Sequence, residues 1–194
     1  MLSAHELACE RGERLLFKNL DIELGNGEAL LVRGGNGHGK TSLLRILCGL
    51  SVPAAGVVRW RGEPISRAHE QYGREMAYLG HANGIKDDLT PVENLRLAAA
   101  LDGRALELDA AVSALEKVGL SRCLDIPARV LSFGQRRRVA LAGLMTAGAL
   151  LWILDEPLTG LDVHGVAMVE QMIRDHVVAG GLAIMTTHQA LALD

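Results

Sequence analysis

The sequence predicts an α/β fold with a mostly parallel core sheet. Three short apolar runs, at residues 28–34, 149–156 and 181–188, are typical of strands that are buried on both faces. Helical stretches lie between these runs, and an alternation of strands and helices favours a layered α/β domain. The chain has 194 residues, which is enough for a single domain with a sizeable core.

The composition is that of a folded globular protein, with 49% hydrophobic and 22% charged residues. A formal net charge of -3 gives no electrostatic reason to expect nucleic acid as a partner. Only 3% of the residues are aromatic, so the stacking platforms of single-strand binders are not indicated. We therefore expect no nucleic acid partner.

The three cysteines, Cys9, Cys48 and Cys123, are scattered and form no CxxC pair. This pattern argues against a disulfide framework, a zinc finger and covalent attachment of a c-type haem. A reducing cytosol is the simplest compartment for such a chain. The N-terminal stretch has no apolar core of the signal-peptide type, which predicts no export signal.

Two further segments have a different strand pattern. The first 30 residues and the segment 56–65 read as short alternating strands, which predicts an antiparallel edge. They extend the predicted parallel sheet with a second, antiparallel one.

A helical block occupies about 88–145. Thr90 and Glu93 have the spacing of a capping box, which predicts a helix start at this point. Asp109 is able to cap a second helix, and Gly119 is a typical stop signal for it. The block therefore appears as a helical insertion between strands of the core.

Residues 139–154 carry no charge for sixteen positions. A membrane-spanning helix needs about 20 apolar residues, and this run is interrupted by Gly143, Thr146 and Gly148. A buried helix followed by a buried strand explains the run better.

The segment GGNGHGKTS at 34–42 fits the motif GxxxxGK[ST] and directly follows a predicted strand. Its glycines let backbone N–H groups point at phosphate oxygens, and the following helix adds partial positive charge. Lys40 can reach the β- and γ-phosphates, and the Thr41 hydroxyl is placed to ligate magnesium. We predict a nucleotide triphosphate site that comprises Gly34, Gly35, Asn36, Gly37, His38, Gly39, Lys40, Thr41 and Ser42.

The segment ALLWILDEP supplies the second half of such a site. A run of apolar strand residues ends in Asp155 and Glu156. Asp155 would hold magnesium through water, and Glu156 could activate the attacking water. A solvated strand end without function is the alternative interpretation of this carboxylate pair.

Between these two motifs, Ser132, Gly134 and Gln135 in LSFGQ resemble the signature of ABC-type ATPases. They stand at a predicted helix start, whose free N–H groups can bind anions. The segment LTGLD at 158–162 resembles the loop that follows the catalytic glutamate in that family, and His188 in MTTHQ resembles its switch histidine. Five motifs in the family's order cover nearly the whole chain.

The resemblance implies the ABC-ATPase fold of the P-loop NTPases, with an antiparallel β subdomain and an inserted helical subdomain. It divides the single domain 1–194 into a nucleotide-binding core, at about 1–87 and 146–194, and a helical subdomain with the signature, at about 88–145. In this family two copies sandwich two ATP molecules head to tail, so that each signature faces the γ-phosphate bound in the opposite copy. The implied active form is a homodimer that closes on ATP.

The resemblance also implies the roles of individual residues, with ATP and Mg²⁺ as cofactors. Glu156 would be the catalytic base, acting with His188 and Lys40. Thr41 and Asp155 would hold the metal. The signature residues and the carboxylate of the 158–162 loop complete the nucleotide contacts, at Ser132, Gly134, Gln135 and Asp162.

More narrowly, the segments LACERGERLLF, YLGH, GIKDDLTPVENL and LWILDEPLTGLD resemble the ATP-binding subunit of the haem exporter in bacterial cytochrome c biogenesis. This resemblance implies an ATPase on the cytoplasmic face of the inner membrane, held there by an integral-membrane partner. The residues themselves do not indicate haem, since the chain has no CxxCH motif and no Cys-Pro pair. The cargo rests on resemblance alone.

Four positions depart from the general ABC pattern. Arg11 replaces the aromatic residue that stacks on adenine, so that either its guanidinium stacks on the base or the base is held loosely. His38 replaces a small residue in the phosphate loop, where it either points outward or contacts a phosphate. Phe133 replaces a glycine of the signature, which predicts weaker or slower closure of the dimer. His81 aligns with the glutamine that touches magnesium and the attacking water, so it is a candidate metal ligand, a hydrogen-bond partner of that water, or only a turn residue.

Three functions compete at this point. The first is ATP hydrolysis that drives transport through a separate membrane subunit. The second is a non-transport ABC ATPase that acts on DNA or ribosomes, but the chain lacks both a long coiled-coil insertion and a second cassette. The third is a nucleotide-binding regulatory subunit with weak or no turnover, which Phe133 and His81 make plausible.

Overall fold

The computed structural model describes residues 1–35 and 37–188. Its first sheet is antiparallel and consists of β1 (Leu2–Arg11), β2 (Arg14–Leu24), β4 (Ala55–Trp60) and β5 (Glu63–Pro64). The strands have the order β2-β1-β4-β5. This sheet confirms the antiparallel edge that the alternating pattern predicts.

The second sheet is parallel and consists of β3 (Ala29–Val32), β6 (Met76–Leu79), β7 (Leu151–Asp155) and β8 (Leu182–Thr186). Its strands have the order β3-β8-β7-β6. Every residue of the two central strands, β7 and β8, is buried, as their apolar runs predict. The α/β class with a parallel core sheet is therefore confirmed.

The edges of the parallel sheet differ from the prediction. The first apolar run, at 28–34, forms the edge strand β3, in which Ala29 is exposed and the next three residues are only half-buried. Its burial on both faces was therefore predicted wrongly, because an edge strand has a neighbour on one side only. The opposite edge, β6, is not predicted as a strand, since four residues are too few for a periodic signal.

Three helices belong to the part of the fold that carries the sheets. They are α1 (Lys40–Leu47), α2 (His69–Glu75) and α6 (Val163–Val178). One apolar cluster joins α1 to both sheets through residues such as Leu44, Trp60 and Ile153. A second cluster packs α6 against the parallel sheet, with Trp152 and Val169 among its members.

The remaining helices are α3 (Pro91–Leu101), α4 (Leu108–Lys117) and α5 (Phe133–Thr146). They share their own apolar cluster, which includes Leu95, Leu115 and Val139. Thr90 caps α3 in the predicted capping box with Glu93. Asp109 does not cap α4, because that helix already begins at Leu108 and places Asp109 in its first turn.

The uncharged run 139–154 forms the second half of α5, a short connection and β7. This confirms the predicted helix followed by a buried strand. Among residues 1–35 and 37–188, no helix is long and apolar enough to cross a membrane.

Candidate active site

The phosphate loop connects β3 to α1 and begins where the edge strand ends. Gly39 precedes the helix with a φ of 87°, a left-handed conformation that favours glycine. A Cβ at this position would also lie 3.1 Å from the Leu16 Cβ atom. The loop can therefore curl tightly and expose the N–H groups of the first turn of α1, which have no partner within the helix.

The Lys40 ammonium group folds back over this loop. Its Nζ atom donates hydrogen bonds to the carbonyl oxygens of Gly34, at 2.8 Å, and Gly35, at 3.3 Å. A cation is therefore held at the centre of the curl, where phosphate oxygens would compete for it.

A cleft of about 440 Å³ opens over the phosphate loop. It gathers residues from five separate parts of the chain: the end of β1, the beginning of β2, the phosphate loop with α1, the end of β7 and the segment after β8. The lining residues are Arg11, Leu16, Gly35, Gly37, Gly39, Lys40, Thr41, Ser42, Asp155, Glu156 and His188. The structure thus brings together most of the residues that the two nucleotide motifs predict.

Some predicted contacts lie elsewhere. His38 is exposed and is not part of the described wall of the cleft. Its ring lies 3.1 Å from the position that a Cβ atom would take on Gly35. Gly34 is not part of that wall but accepts the hydrogen bond from Lys40. Asn36 lies outside the described residues.

Asp155 ends β7 and is only 3% exposed. Its Oδ1 atom accepts a hydrogen bond from the Thr186 hydroxyl at 2.7 Å. The same hydroxyl accepts one from the backbone N–H of Glu156 at 3.0 Å. Thr186, which the sequence motifs do not single out, therefore fixes the orientation of both neighbouring acids.

Glu156 combines a strained backbone with an unsatisfied oxygen. Its φ of 51° is left-handed, which is uncommon for a residue with a side chain. Its Oε1 atom is buried and makes no hydrogen bond within residues 1–35 and 37–188, although His188 Nε2 lies 3.3 Å away. A carboxylate oxygen with free lone pairs in a cleft can accept a proton from water.

The signature residues begin helix α5. Ser132 is its N-cap and accepts a hydrogen bond from the Gln135 N–H at 3.2 Å, while Gln135 Oε1 accepts one from the Ser132 N–H at 2.8 Å. The predicted cap is therefore present in both directions. Ser132 is exposed and stands apart from the described wall of the cleft, as does Gly134.

Asp162 is the N-cap of α6 and holds two elements together. It accepts hydrogen bonds from the Gly165 N–H at 2.7 Å and from Arg138 Nη2 at 2.9 Å. The backbone hydrogen bond and the Arg138 cation lower the pKa of this carboxyl below its usual range. Asp162 therefore links α6 to α5 within one copy of the chain.

His81 is exposed in the loop after β6 and stands outside the described wall of the cleft. Its neighbours Gly80 and Asn83 instead bind Arg137, a buried residue of α5. The sequence motifs do not single out Arg137. The available signal was its helical spacing to the buried Leu141 and Leu144.

Known proteins resemble this chain along most of its length. Residues 17–159 match the family model described as ABC transporter. The chain is 51% identical over 193 residues to the cytochrome c biogenesis ATP-binding export protein CcmA of Nitrosomonas europaea, which covers 100% of this chain and 91% of that protein. The protein of the same name from Aromatoleum aromaticum is 53% identical over 190 residues, covering 97% and 89%.

A solved structure shares the fold. A dimeric ATP-binding cassette in a post-hydrolysis state, bound to ADP and phosphate, matches with a TM-score of 0.86 at 21% identity, over 97% of this chain and 88% of that chain. At this identity the likeness concerns the fold alone. From the family model and the relatives, the chain belongs to the ABC transporter family, and within it to the group of cytochrome c biogenesis ATP-binding export proteins.

Proposed function

We propose that this chain hydrolyses ATP to drive a haem exporter of bacterial cytochrome c biogenesis. The observation that carries the ATPase is the cleft in which Lys40, Asp155, Glu156 and His188 meet. Haem as the cargo is proposed from the resemblance in the sequence, and the name of the relatives supports an export role in cytochrome c biogenesis.

The phosphate loop would bind the nucleotide through its N–H groups and Lys40. A phosphate oxygen offers the ammonium a negative charge, whereas the Gly34 and Gly35 carbonyl oxygens offer only dipoles. Lys40 would therefore exchange these carbonyls for the β- and γ-phosphates. Arg11 lies on the wall of the same cleft, which supports a contact with the base.

The residues of the cleft fit Mg²⁺. The Thr41 hydroxyl and the Asp155 carboxylate supply the oxygen ligands that this ion prefers, and Asp155 keeps one oxygen free of the Thr186 bond. Within the described residues, no three His, Cys, Asp or Glu side chains form a metal cage. A magnesium ion in this cleft would share its ligands with phosphates and water. The ion would neutralise charge on the β- and γ-phosphate oxygens.

Glu156 would take the proton of the attacking water. Its unsatisfied Oε1 atom is the acceptor, and His188 stands beside it at 3.3 Å to orient the water or the γ-phosphate. The role of His81 as a metal ligand stays a prediction.

The working unit would be a homodimer that closes on ATP. Ser132 is exposed at the N-terminus of α5, where free N–H groups and the helix dipole favour an anion. Since these groups stand apart from the cleft of their own copy, they are available to the nucleotide of the other copy. Gly134, Gln135 and Asp162 would complete this second half of the site.

A groove of about 730 Å³ is the proposed seat of the membrane subunit. It runs between α2 and β6 on one side and α3 and α5 on the other. Its walls include Arg74, Ala77, Ile85, Leu101 and Gly143, and we call it the docking groove. It divides the proposed nucleotide-binding core, at about 1–87 and 146–194, from the proposed helical subdomain at about 88–145. Docking there would hold the chain on the cytoplasmic face of the inner membrane.

The test is ATP turnover by two variants in complex with the membrane subunit. Glu156→Gln keeps the shape of the site but removes the base, so ATP binding and dimerisation persist while turnover falls by about a hundredfold or more. Lys40→Ala should abolish nucleotide binding, which equilibrium binding of labelled ATP would measure. Undiminished hydrolysis by Glu156→Gln would refute the assigned base, and absence of turnover in the wild type would favour the regulatory alternative.

A further inference from the structure

Arg137 lies on the buried face of α5 and is only 1% exposed. A buried guanidinium group costs free energy unless its N–H groups all find acceptors. Burial lowers the pKa of Arg137, while the Asp155 and Glu156 carboxylates oppose that shift. A cation in this place therefore needs a specific set of partners.

On one side, Arg137 binds the turn that carries the catalytic acids. Its Nη2 atom donates to the carbonyl oxygens of Asp155 at 3.1 Å and Glu156 at 2.8 Å, and Nε donates to that of Pro157 at 3.2 Å. Three consecutive carbonyl groups thus converge on one side chain. They belong to the last residue of β7 and to the first two residues of the turn that follows it.

These hydrogen bonds lie where the backbone is strained. Glu156 has a φ of 51° and persists in that conformation because its surroundings hold it. Its N–H is bound by Thr186 and its carbonyl by Arg137. The direction of the Glu156 carboxylate therefore depends on both contacts.

On the other side, Arg137 binds the loop that follows β6. Its Nη1 atom donates to the Gly80 carbonyl at 2.9 Å and to Asn83 Oδ1 at 3.0 Å. Asn83 also lines the docking groove. With five hydrogen bonds, the guanidinium uses its full set of donors to join the groove to the catalytic turn.

From these contacts we infer that Arg137 is a positioning residue: it holds Glu156 in line for the attacking water and transmits the state of the docking groove to it. This inference rests on the proposed ATPase function and adds a residue to it. Arg137 touches no reacting atom, so its effect appears in the rate of turnover rather than in the affinity for ATP.

The experiment compares Arg137→Lys with Arg136→Lys in the complex with the membrane subunit. Lysine keeps the charge at position 137 but cannot bind both the turn after β7 and the loop after β6. Arg136 is a suitable control because it is half-buried and its ion pair with Asp87 is long, at 3.7 Å. We expect Arg137→Lys to lower kcat about tenfold or more, because small misplacements of a catalytic group are costly, with KM for Mg·ATP within about twofold. Arg136→Lys should match the wild type in both constants.

A second variant covers the case in which Arg137→Lys does not fold. Asn83→Ala removes only one contact of the guanidinium, from a half-buried loop residue. It should lower kcat by a smaller factor, and the double variant should be no slower than Arg137→Lys alone, since both act through one path.

The possible failures are distinct. A wild-type complex without turnover would overturn the proposed function. A wild type that turns over, with kcat per folded molecule unchanged in Arg137→Lys and in Asn83→Ala, would overturn only the role of Arg137. Fully additive effects of the two substitutions on kcat would also contradict it.

Discussion

At the scale of single residues, the site depends on positions where ordinary conformational preferences are broken. Glu156 has a left-handed backbone, and Arg137 is a buried cation. Gly160, four residues after Glu156, has a φ of 78° and packs closely against the signature. A glycine adopts such a φ readily, but the backbone of Glu156 and the burial of Arg137 are exceptions. Such exceptions concentrate at functional sites because a defined geometry there is worth its cost in stability.

Phe133 fills the space above Gly160. A Cβ atom on Gly160 would overlap the Phe133 ring, and one on Gly134 would lie 2.8 Å from the Gly160 carbonyl oxygen. Phe133 nevertheless remains 45% exposed. The aromatic residue thus packs the signature segment against the loop that follows Glu156, a contact that no sequence motif predicts.

We predict that Gly160→Ala destabilises the chain by about 2 kcal/mol, of which about 1 kcal/mol is the left-handed backbone and the rest is overlap with Phe133. Adding Phe133→Ala should relieve the overlap but not the backbone cost. Urea unfolding of both single variants and the double variant measures the coupling between the two sites.

Gly103→Ala is the matched control for this prediction. Its φ of 72° is similar, but nothing lies within 4 Å of its Cβ position. The Gly103→Ala variant should therefore lose only the part of the stability, about 1 kcal/mol, that comes from the left-handed backbone. Equal losses of unfolding free energy in Gly103→Ala and Gly160→Ala would show that the Phe133 ring moves aside without destabilising the chain.

At the scale of helices and strands, α6 is fixed to the sheet by a polar contact inside an apolar cluster. The half-buried His176 stacks on Trp152, with ring centroids 3.8 Å apart and planes within 5°. Its Nε2 atom lies 3.1 Å from the Leu150 carbonyl oxygen and 3.2 Å from that of Leu182. These carbonyls stand at the beginnings of β7 and β8, so one imidazole connects three elements.

The stability of this contact should depend on pH. Burial lowers the pKa of His176 below its usual value near 6.5, so the folded state binds fewer protons than the unfolded state as the pH falls through that value. The free energy of unfolding should therefore decrease on acidification below about pH 6.5, by at most about 1.4 kcal/mol per pH unit from this group. Urea unfolding between pH 5 and pH 8 measures it.

Two substitutions on the same helix isolate the effect. His176→Gln cannot titrate, so its stability should vary less over this range. His164 is exposed near the start of α6, and His164→Gln should keep the pH dependence of the wild type. An unchanged pH dependence in His176→Gln would assign the acid sensitivity to other groups.

Sequence patterns predict elements well where the signal is local. Both capping boxes, at Thr90 and Ser132, form as expected, since each depends on residues three positions apart. The Asp109 cap is wrong because a nearby start at Leu108 is equally compatible with the sequence. Strand β6 is missed because its place depends on pairing with β7, which is distant in the chain.

At the scale of the whole molecule, the order of motifs predicts the family, and the family is confirmed. It does not predict how the motifs meet. The phosphate loop and Asp155 come together because β8 lies between β3 and β7, and nothing in the local sequence states that order. The bridge made by Arg137 likewise joins segments more than fifty positions apart. Long-range pairing therefore accounts for most of what the sequence leaves open.

The docking groove gives a test at this scale. Leu101 lies on its wall and is 77% exposed, so Leu101→Glu would place a charge where the membrane subunit is proposed to bury apolar surface. We expect at least a tenfold loss of co-purified membrane subunit, with ATP binding by the variant chain unchanged. Leu108→Glu is the control, since Leu108 is an exposed leucine of the same helical block, 53% exposed and away from the described groove wall. Equal recovery of the membrane subunit with both variants would place the contact on another face of the molecule.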